Sequence, residues 1–111
     1  MLKVYVKGRR IKMSTEILDE VFEVIKDRKE NPREDSYVST LLEQGEESVL
    51  GKVREESLEL LQAVDDGVEG EIIHESADVI FHVMVLLVSQ GIEFDEVMEE
   101  LRRRRKPRES E

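Results

Sequence analysis

The chain has 111 residues, 27 acidic against 17 basic, for a net charge of −10, with no Cys, no Trp and two Pro. One domain with a modest core fits that length. Disulfide scaffolds and Cys-ligated zinc or iron–sulfur sites are excluded, and the acidic balance argues against nucleic acid as a partner. The charge is uneven: residues 1–12 carry five basic and no acidic residues, residues 102–111 six basic and two acidic, and the segment between is at −19.

In chain order, residues 1–12 read as an N-terminal extension or an artificially appended segment, 13–105 as one all-α domain and 106–111 as a C-terminal tail. Val4, Tyr5 and Val6 have strand propensity, but no second strand-like segment is evident to pair with them. Ser14 and Thr15 look like a helix N-cap, and Ile17, Leu18, Val21, Phe22, Val24 and Ile25 then recur at helical spacing up to about Lys29. Asn31-Pro32 stops that helix, and 30–37 is a polar loop. A short helix over 38–44 ends at Gly45. Long helices over 46–65 and 69–90 follow, and a last one over 94–105 ends before Pro107. Four substantial helices plus a short one predict a four-helix-bundle-like core. The 69–90 helix is apolar on too many sides for a lone subunit, which predicts that a homodimer completes the core. The most apolar run, 77–88, is too short to span a bilayer and contains Asp78 and His82; no membrane partner and a cytoplasmic location are expected.

On a helical wheel, Val49, Leu50, Val53, Leu60, Leu61 and Val64 form an apolar arc, with Lys52, Glu56, Glu59 and Ala63 along its edge and Glu55 turned further out. The next helix is apolar nearly all round except for a narrow stripe of Glu71, Glu75, Asp78 and His82. Glu56 with Glu59, and Glu75 with Asp78, are two i,i+3 carboxylate pairs on consecutive helices whose short connection favours antiparallel packing. Paired carboxylates on a helix are most often a solvated face. Four converging beside apolar surface form a hard-oxygen set that suits Mg²⁺, and a Mg²⁺-loaded acidic pocket can accept a polyphosphate. His74 lies off the stripe and reads as structural or surface, Met84 and Met98 as core, and Arg102–Arg105 with Lys106 as cations at a helix C-terminus.

Glu55-Glu56-Ser57-Leu58-Glu59 followed by Glu75-Ser76-Ala77-Asp78 resembles the EExxE…ExxD signature of the all-α nucleoside-triphosphate pyrophosphohydrolases (MazG-like). Asp27-Arg28-Lys29, Asn31-Pro32, Ser36-Tyr37, Leu41-Leu42, Gly45, Lys52-Val53, His74 and His82 narrow the resemblance to the phosphoribosyl-ATP pyrophosphatase family, over about 14–105. The resemblance implies hydrolysis of phosphoribosyl-ATP to phosphoribosyl-AMP and pyrophosphate, an early step of histidine biosynthesis. It implies Glu56, Glu59, Glu75 and Asp78 as Mg²⁺ ligands; for the attacking water, Glu55 or one of those ligands is the candidate catalytic carboxylate that accepts the proton. Lys52 would meet a phosphate, and Arg28, Lys29, Ser36 and Tyr37 would hold phosphates or ribose. His82 would orient a carboxylate or touch substrate. Val38 stands where the family usually has Thr, Arg54 where it has Gly, Ser57 where it has Ala, and Phe81 where Tyr is common. The alternatives are a house-cleaning nucleotide pyrophosphatase of the same superfamily and a non-catalytic helical dimer serving as an interaction module.

Overall fold

The computed structural model describes residues 14–105 in full and, of the segment before them, the backbone pairing of 5–6 with 9–10. The expected terminal segments, 1–12 and 106–111, otherwise lie outside the described residues. Five helices carry the domain: α1 (Glu16–Glu30), α2 (Tyr37–Glu43), α3 (Glu46–Asp66), α4 (Glu69–Ser89) and α5 (Phe94–Arg104). The all-α expectation holds, with each boundary within one residue of its predicted place.

One expectation is corrected outside the helices. Tyr5–Val6 (β1) does find a partner, Arg9–Arg10 (β2), in a two-residue antiparallel ribbon with Tyr5 opposite Arg10 and Val6 opposite Arg9. The partner is illegible in the sequence because Arg9-Arg10 has little strand propensity, and proximity in the chain supplies the pairing instead.

The helix ends follow local chemistry. Thr15 occupies the α1 N-cap position, but it is the Ser14 hydroxyl that accepts from a backbone amide, Glu16 N–H, at 3.1 Å. Ser36 caps α2 by accepting from Ser39 N–H at 3.1 Å. Gly67, at φ +70°, ends α3 in the left-handed region, and its N–H returns to the Ala63 and Val64 carbonyls. The chain then re-enters a helix within two residues, so α3 and α4 pack side by side. A capping box between Glu93 and Glu96 opens α5.

The core lies where α1, α2 and the N-terminal part of α3 meet the C-terminal half of α4. Phe22, Ile25, Val38, Leu41, Val49, Met84, Val85 and Val88 are buried together. Ser39 is buried among them and fully used: its hydroxyl donates to Arg28 C=O at 2.9 Å and accepts from Arg33 N–H at 3.1 Å. It thereby ties the loop after α1 to α2. Phe94 stacks on Phe22, with centroids 5.4 Å apart, and docks the start of α5.

Farther along α3 the packing departs from the wheel. Val49, Glu56 and Ala63, seven residues apart, are its buried positions, while Leu61 and Val64 of the expected apolar arc are exposed. The seam against α4 thus runs along the carboxylate stripe, and the apolar arc is split: Val49 is buried, Leu50, Val53 and Leu60 are half-buried, and its C-terminal end faces outward. Met98 is half-buried rather than core, since α5 buries no residue fully. The apolar run 77–88, itself too short to span, belongs to a helix of 21 residues that is, by length and composition alone, long and apolar enough to cross a membrane. That same helix carries Glu75, Asp78 and a buried His82 against the rest of the fold.

Candidate active site

The site is built on the seam between the middle of α3 and the first half of α4, with the first turn of α2 beside it. Neither 52–59 nor 74–78 contains glycine or a β-branched run, so the i,i+3 and i,i+4 spacings translate directly into neighbouring side chains. Glu55, Glu56 and Glu59 each bring a carboxylate oxygen within 4.8 Å of the others. On α4, His74, Glu75 and Asp78 likewise bring one ligand atom each within that distance.

Glu56 is the pivot. It is only 5% exposed, and its Oε2 is buried with no hydrogen-bond donor. Glu75 Oε1 is in the same condition. Ionised carboxylates only accept, and burying them without a cation or donor is costly. Lys52 compensates in part, with Nζ 3.4 Å from Glu56 and 3.3 Å from Glu55. Burial opposes the Lys52 charge, but its hydrogen bonds to Glu55 and Glu56 win and raise its pKa.

The carboxylates also perturb one another's proton affinity. Burial pushes Glu56 up, yet the adjacent Glu59 and Glu75 carboxyls and the Lys52 ammonium hold it below the usual range. Glu59 is raised, first by its hydrogen bond to Glu56. Glu75 is raised by burial and then by Glu56. Two orphaned buried oxygens and a set of neighbouring all-oxygen donors fit a hard divalent cation such as Mg²⁺. The donors come from Glu56, Glu59 and Glu75, with Asp78 beside Glu75.

The second half of the site is polar and ordered. Tyr37, the first residue of α2, places its hydroxyl 2.8 Å from His82 Nε2. His82 Nδ1 lies 2.9 Å from the Asp78 backbone carbonyl. Burial raises the Tyr37 pKa, and the fields of Lys52, Glu56, Glu55 and Asp78 all reach the phenol, which ties α2 to the carboxylate cluster. An apolar cavity of about 470 Å³ adjoins Tyr37 and is lined by Ile17, Val21, Val24 and Phe81, with Arg28 and Ser36 at its polar side.

Most of the residues singled out in the sequence come together here: Glu55, Glu56, Glu59, Glu75, Asp78, Lys52, Tyr37 and His82. Arg28 and Ser36 stand beside Tyr37, although Arg28 is paired with Asp27 at 2.8 Å and the Ser36 hydroxyl is engaged as the α2 cap. Lys29 is placed elsewhere. Its Nζ donates to Val88 C=O at 3.1 Å, near the C-terminus of α4. Val88 is ten residues from Asp78, about 15 Å along the helix. Cations favour a helix C-terminus, and that preference takes Lys29 away from the carboxylates.

His74, expected off the stripe, reaches it. Its Nε2 is 3.3 Å from Asp78 Oδ2, at i,i+4, a spacing legible in the sequence. Asp66 also stands at the site without a motif to mark it, and Glu71, the first residue of the α4 stripe, stands with it. They line a small cleft with Glu59, Gln62 and Glu75, and Gln62 donates to Asp66 at 2.9 Å.

The family model described as phosphoribosyl-ATP pyrophosphohydrolase matches residues 18–105. A protein of Methanocella arvoryzae named phosphoribosyl-ATP pyrophosphatase is 50% identical over 93 residues, covering 82% of this chain and 98% of that one. Proteins of the same name from Methanococcoides burtonii and Haloarcula marismortui are 46% and 45% identical, covering 80% and 81% of this chain and 92% and 94% of theirs. With the signature carboxylates gathered on one helical seam and the similarity running through nearly the whole helical domain, the chain belongs to the phosphoribosyl-ATP pyrophosphohydrolase family.

Proposed function

We propose that this protein hydrolyses phosphoribosyl-ATP to phosphoribosyl-AMP and pyrophosphate, as a cytoplasmic homodimer that uses Mg²⁺ and has neither nucleic acid nor membrane as a partner. The observation that carries the metal-dependent reading is the pair of buried, donorless oxygens, Glu56 Oε2 and Glu75 Oε1, on facing helices. Glu56, Glu59, Glu75 and Asp78 hold the cation. When bound, Mg²⁺ offsets phosphate charge and so lets an acidic pocket accept a triphosphate chain.

The chain's own groups do the rest. Lys52, drawn in by Glu55 and Glu56, offers its ammonium to a phosphate oxygen. Glu55 is half-exposed and is the carboxylate suited to take a proton from the attacking water. The water oxygen bonds to phosphorus, the bridging P–O bond breaks, and pyrophosphate leaves with that bridging oxygen or accepts the water's, according to which phosphorus is attacked. The apolar cavity by Tyr37 takes the adenine ring, with Arg28 and Ser36 at its polar rim.

The dimer reading rests on exposed apolar side chains at helical spacing: Leu58, Leu61 and Val64 on α3, and Ile73, Ile80 and Val83 on α4. Two such stripes on adjacent helices match a second copy of themselves.

The test is pyrophosphate release from phosphoribosyl-ATP and from ordinary dNTPs, with Mg²⁺ and with EDTA. Mg²⁺-dependent release from phosphoribosyl-ATP is expected. Release from dNTPs alone would make this a house-cleaning pyrophosphatase, and release from neither would favour a non-catalytic helical module.

A further inference from the structure

His82 is 5% exposed, and both of its ring nitrogens are engaged. Nδ1 faces a backbone carbonyl, which can only accept, so Nδ1 carries the hydrogen. In the neutral ring Nε2 then has only a lone pair, and the Tyr37 hydroxyl must donate to it. The Tyr37 hydrogen is thereby committed inward. The oxygen of this half-exposed residue keeps only lone pairs to offer outward.

The ring is also clamped. Tyr37 and Phe81 meet His82 edge-on, with centroids 5.8 and 5.2 Å away and interplanar angles of 90° and 86°. Tyr37 itself is pinned at the start of α2 by the Ser36 cap. The polarity of the phenol is therefore built into the fold.

We propose that His82 touches no substrate but is a positioning residue, which makes Tyr37 an obligate hydrogen-bond acceptor that selects a ribose hydroxyl. This rests on the nucleotide-hydrolase reading given above. A phosphate oxygen has no hydrogen to offer and is repelled by the Tyr37 lone pairs, so Tyr37 is not a phosphate ligand. The fields of Lys52, Glu56 and Asp78 at the phenol put it beside the phosphate-binding end of the site. The group that follows the phosphate chain in a nucleotide is the ribose, and its hydroxyls are the nearest donors. A ribonucleotide is thus preferred over its deoxy analogue.

Calorimetric binding of ATP, 2′-deoxy-ATP and 3′-deoxy-ATP in the presence of Mg²⁺ tests this, with phosphoribosyl-ATP turnover scored separately. The native protein should bind ATP about tenfold more tightly than at least one deoxy analogue, the value of one hydrogen bond. Tyr37→Phe should erase that discrimination. His82→Leu should weaken it, because the freed phenolic hydrogen can turn outward while the oxygen can still accept, and the double variant should be no worse than Tyr37→Phe alone. His82→Gln, whose amide oxygen can still accept the phenolic hydrogen, should retain most of it. In turnover, Tyr37→Phe should raise KM more than it lowers kcat. Equal binding of all three nucleotides by the native protein, or discrimination that survives Tyr37→Phe, would overturn the inference even with full phosphoribosyl-ATP turnover. Absence of that turnover alongside intact ribose discrimination would instead defeat the substrate assignment and leave the Tyr37 role supported.

Discussion

Glu56, Glu59 and Glu75 carry the most specific chemistry at the scale of single residues. The last two hold their protons to higher pH than an ordinary carboxyl, Glu59 first through the neighbouring Glu56 and Glu75 first through burial and then through Glu56. A cation must displace those protons, so acid competes with it. Mg²⁺ affinity should rise with pH through the window just above the ordinary carboxylate range. Calorimetry in two buffers of different ionisation enthalpy should show proton release on binding. Affinity independent of pH there would remove Glu59 and Glu75 from the ligand set. The same crowding predicts the stability of Glu75→Gln. An amide at position 75 can donate to Glu56 where a carboxylate repels it, so the metal-free variant should melt at a higher temperature than the metal-free native protein. A lower Tm would mean that Glu75 stabilises the fold by a contact other than those in the carboxylate cluster.

Elements show where sequence periodicity suffices and where it fails. All five helices are legible because Asn31-Pro32, Gly67 and Gly91 punctuate them and the apolar spacing between is regular. The carboxylate pairs are legible for the same reason, since i,i+3 places side chains together whatever the tertiary fold. The face of α3 that turns inward is not. Leu61 and Val64 look like core by hydropathy, yet Glu56 and Ala63 occupy the seam. A wheel ranks faces by burial cost and does not register that Lys52 partly compensates Glu56. Lys29 escapes prediction for a related reason: a motif gives a residue's neighbours in the chain and not the helix end its side chain reaches. Ser39 is the element-scale joint that no motif flags. Ser39→Ala would leave the Arg33 N–H and the Arg28 carbonyl without their buried partner, at about 1–3 kcal/mol. Urea unfolding should show that loss, and a change within error of zero would mean the loop after α1 is held by other contacts.

Across the whole molecule, the −10 of the sequence resolves into a helical domain far more acidic than its ends. A small part of that excess is concentrated on the α3–α4 seam, and apolar stripes occupy the outer faces of the same two helices. In the proposed reading α3 and α4 have two tasks, a metal-binding seam inside and an association surface outside. Replacing an outer apolar residue by a charge should separate them: Leu61→Glu or Ile80→Glu should shift sedimentation from dimer to monomer without lowering helicity. A native protein that sediments as a monomer at micromolar concentration would contradict the association surface.

The α3–α4 carboxylates are proposed to serve Mg²⁺-dependent cleavage of phosphoribosyl-ATP. That role is tested most directly by pyrophosphate release from this substrate for the native protein and for Glu75→Gln, each with saturating Mg²⁺ and with EDTA, and with circular dichroism to confirm folding. Release by the native protein with Mg²⁺ is predicted, with its loss in EDTA. A fall of at least about a hundredfold is predicted in folded Glu75→Gln, the scale of losing a group that stabilises transition-state charge. Undiminished release by Glu75→Gln, or by the native protein in EDTA, would contradict that role.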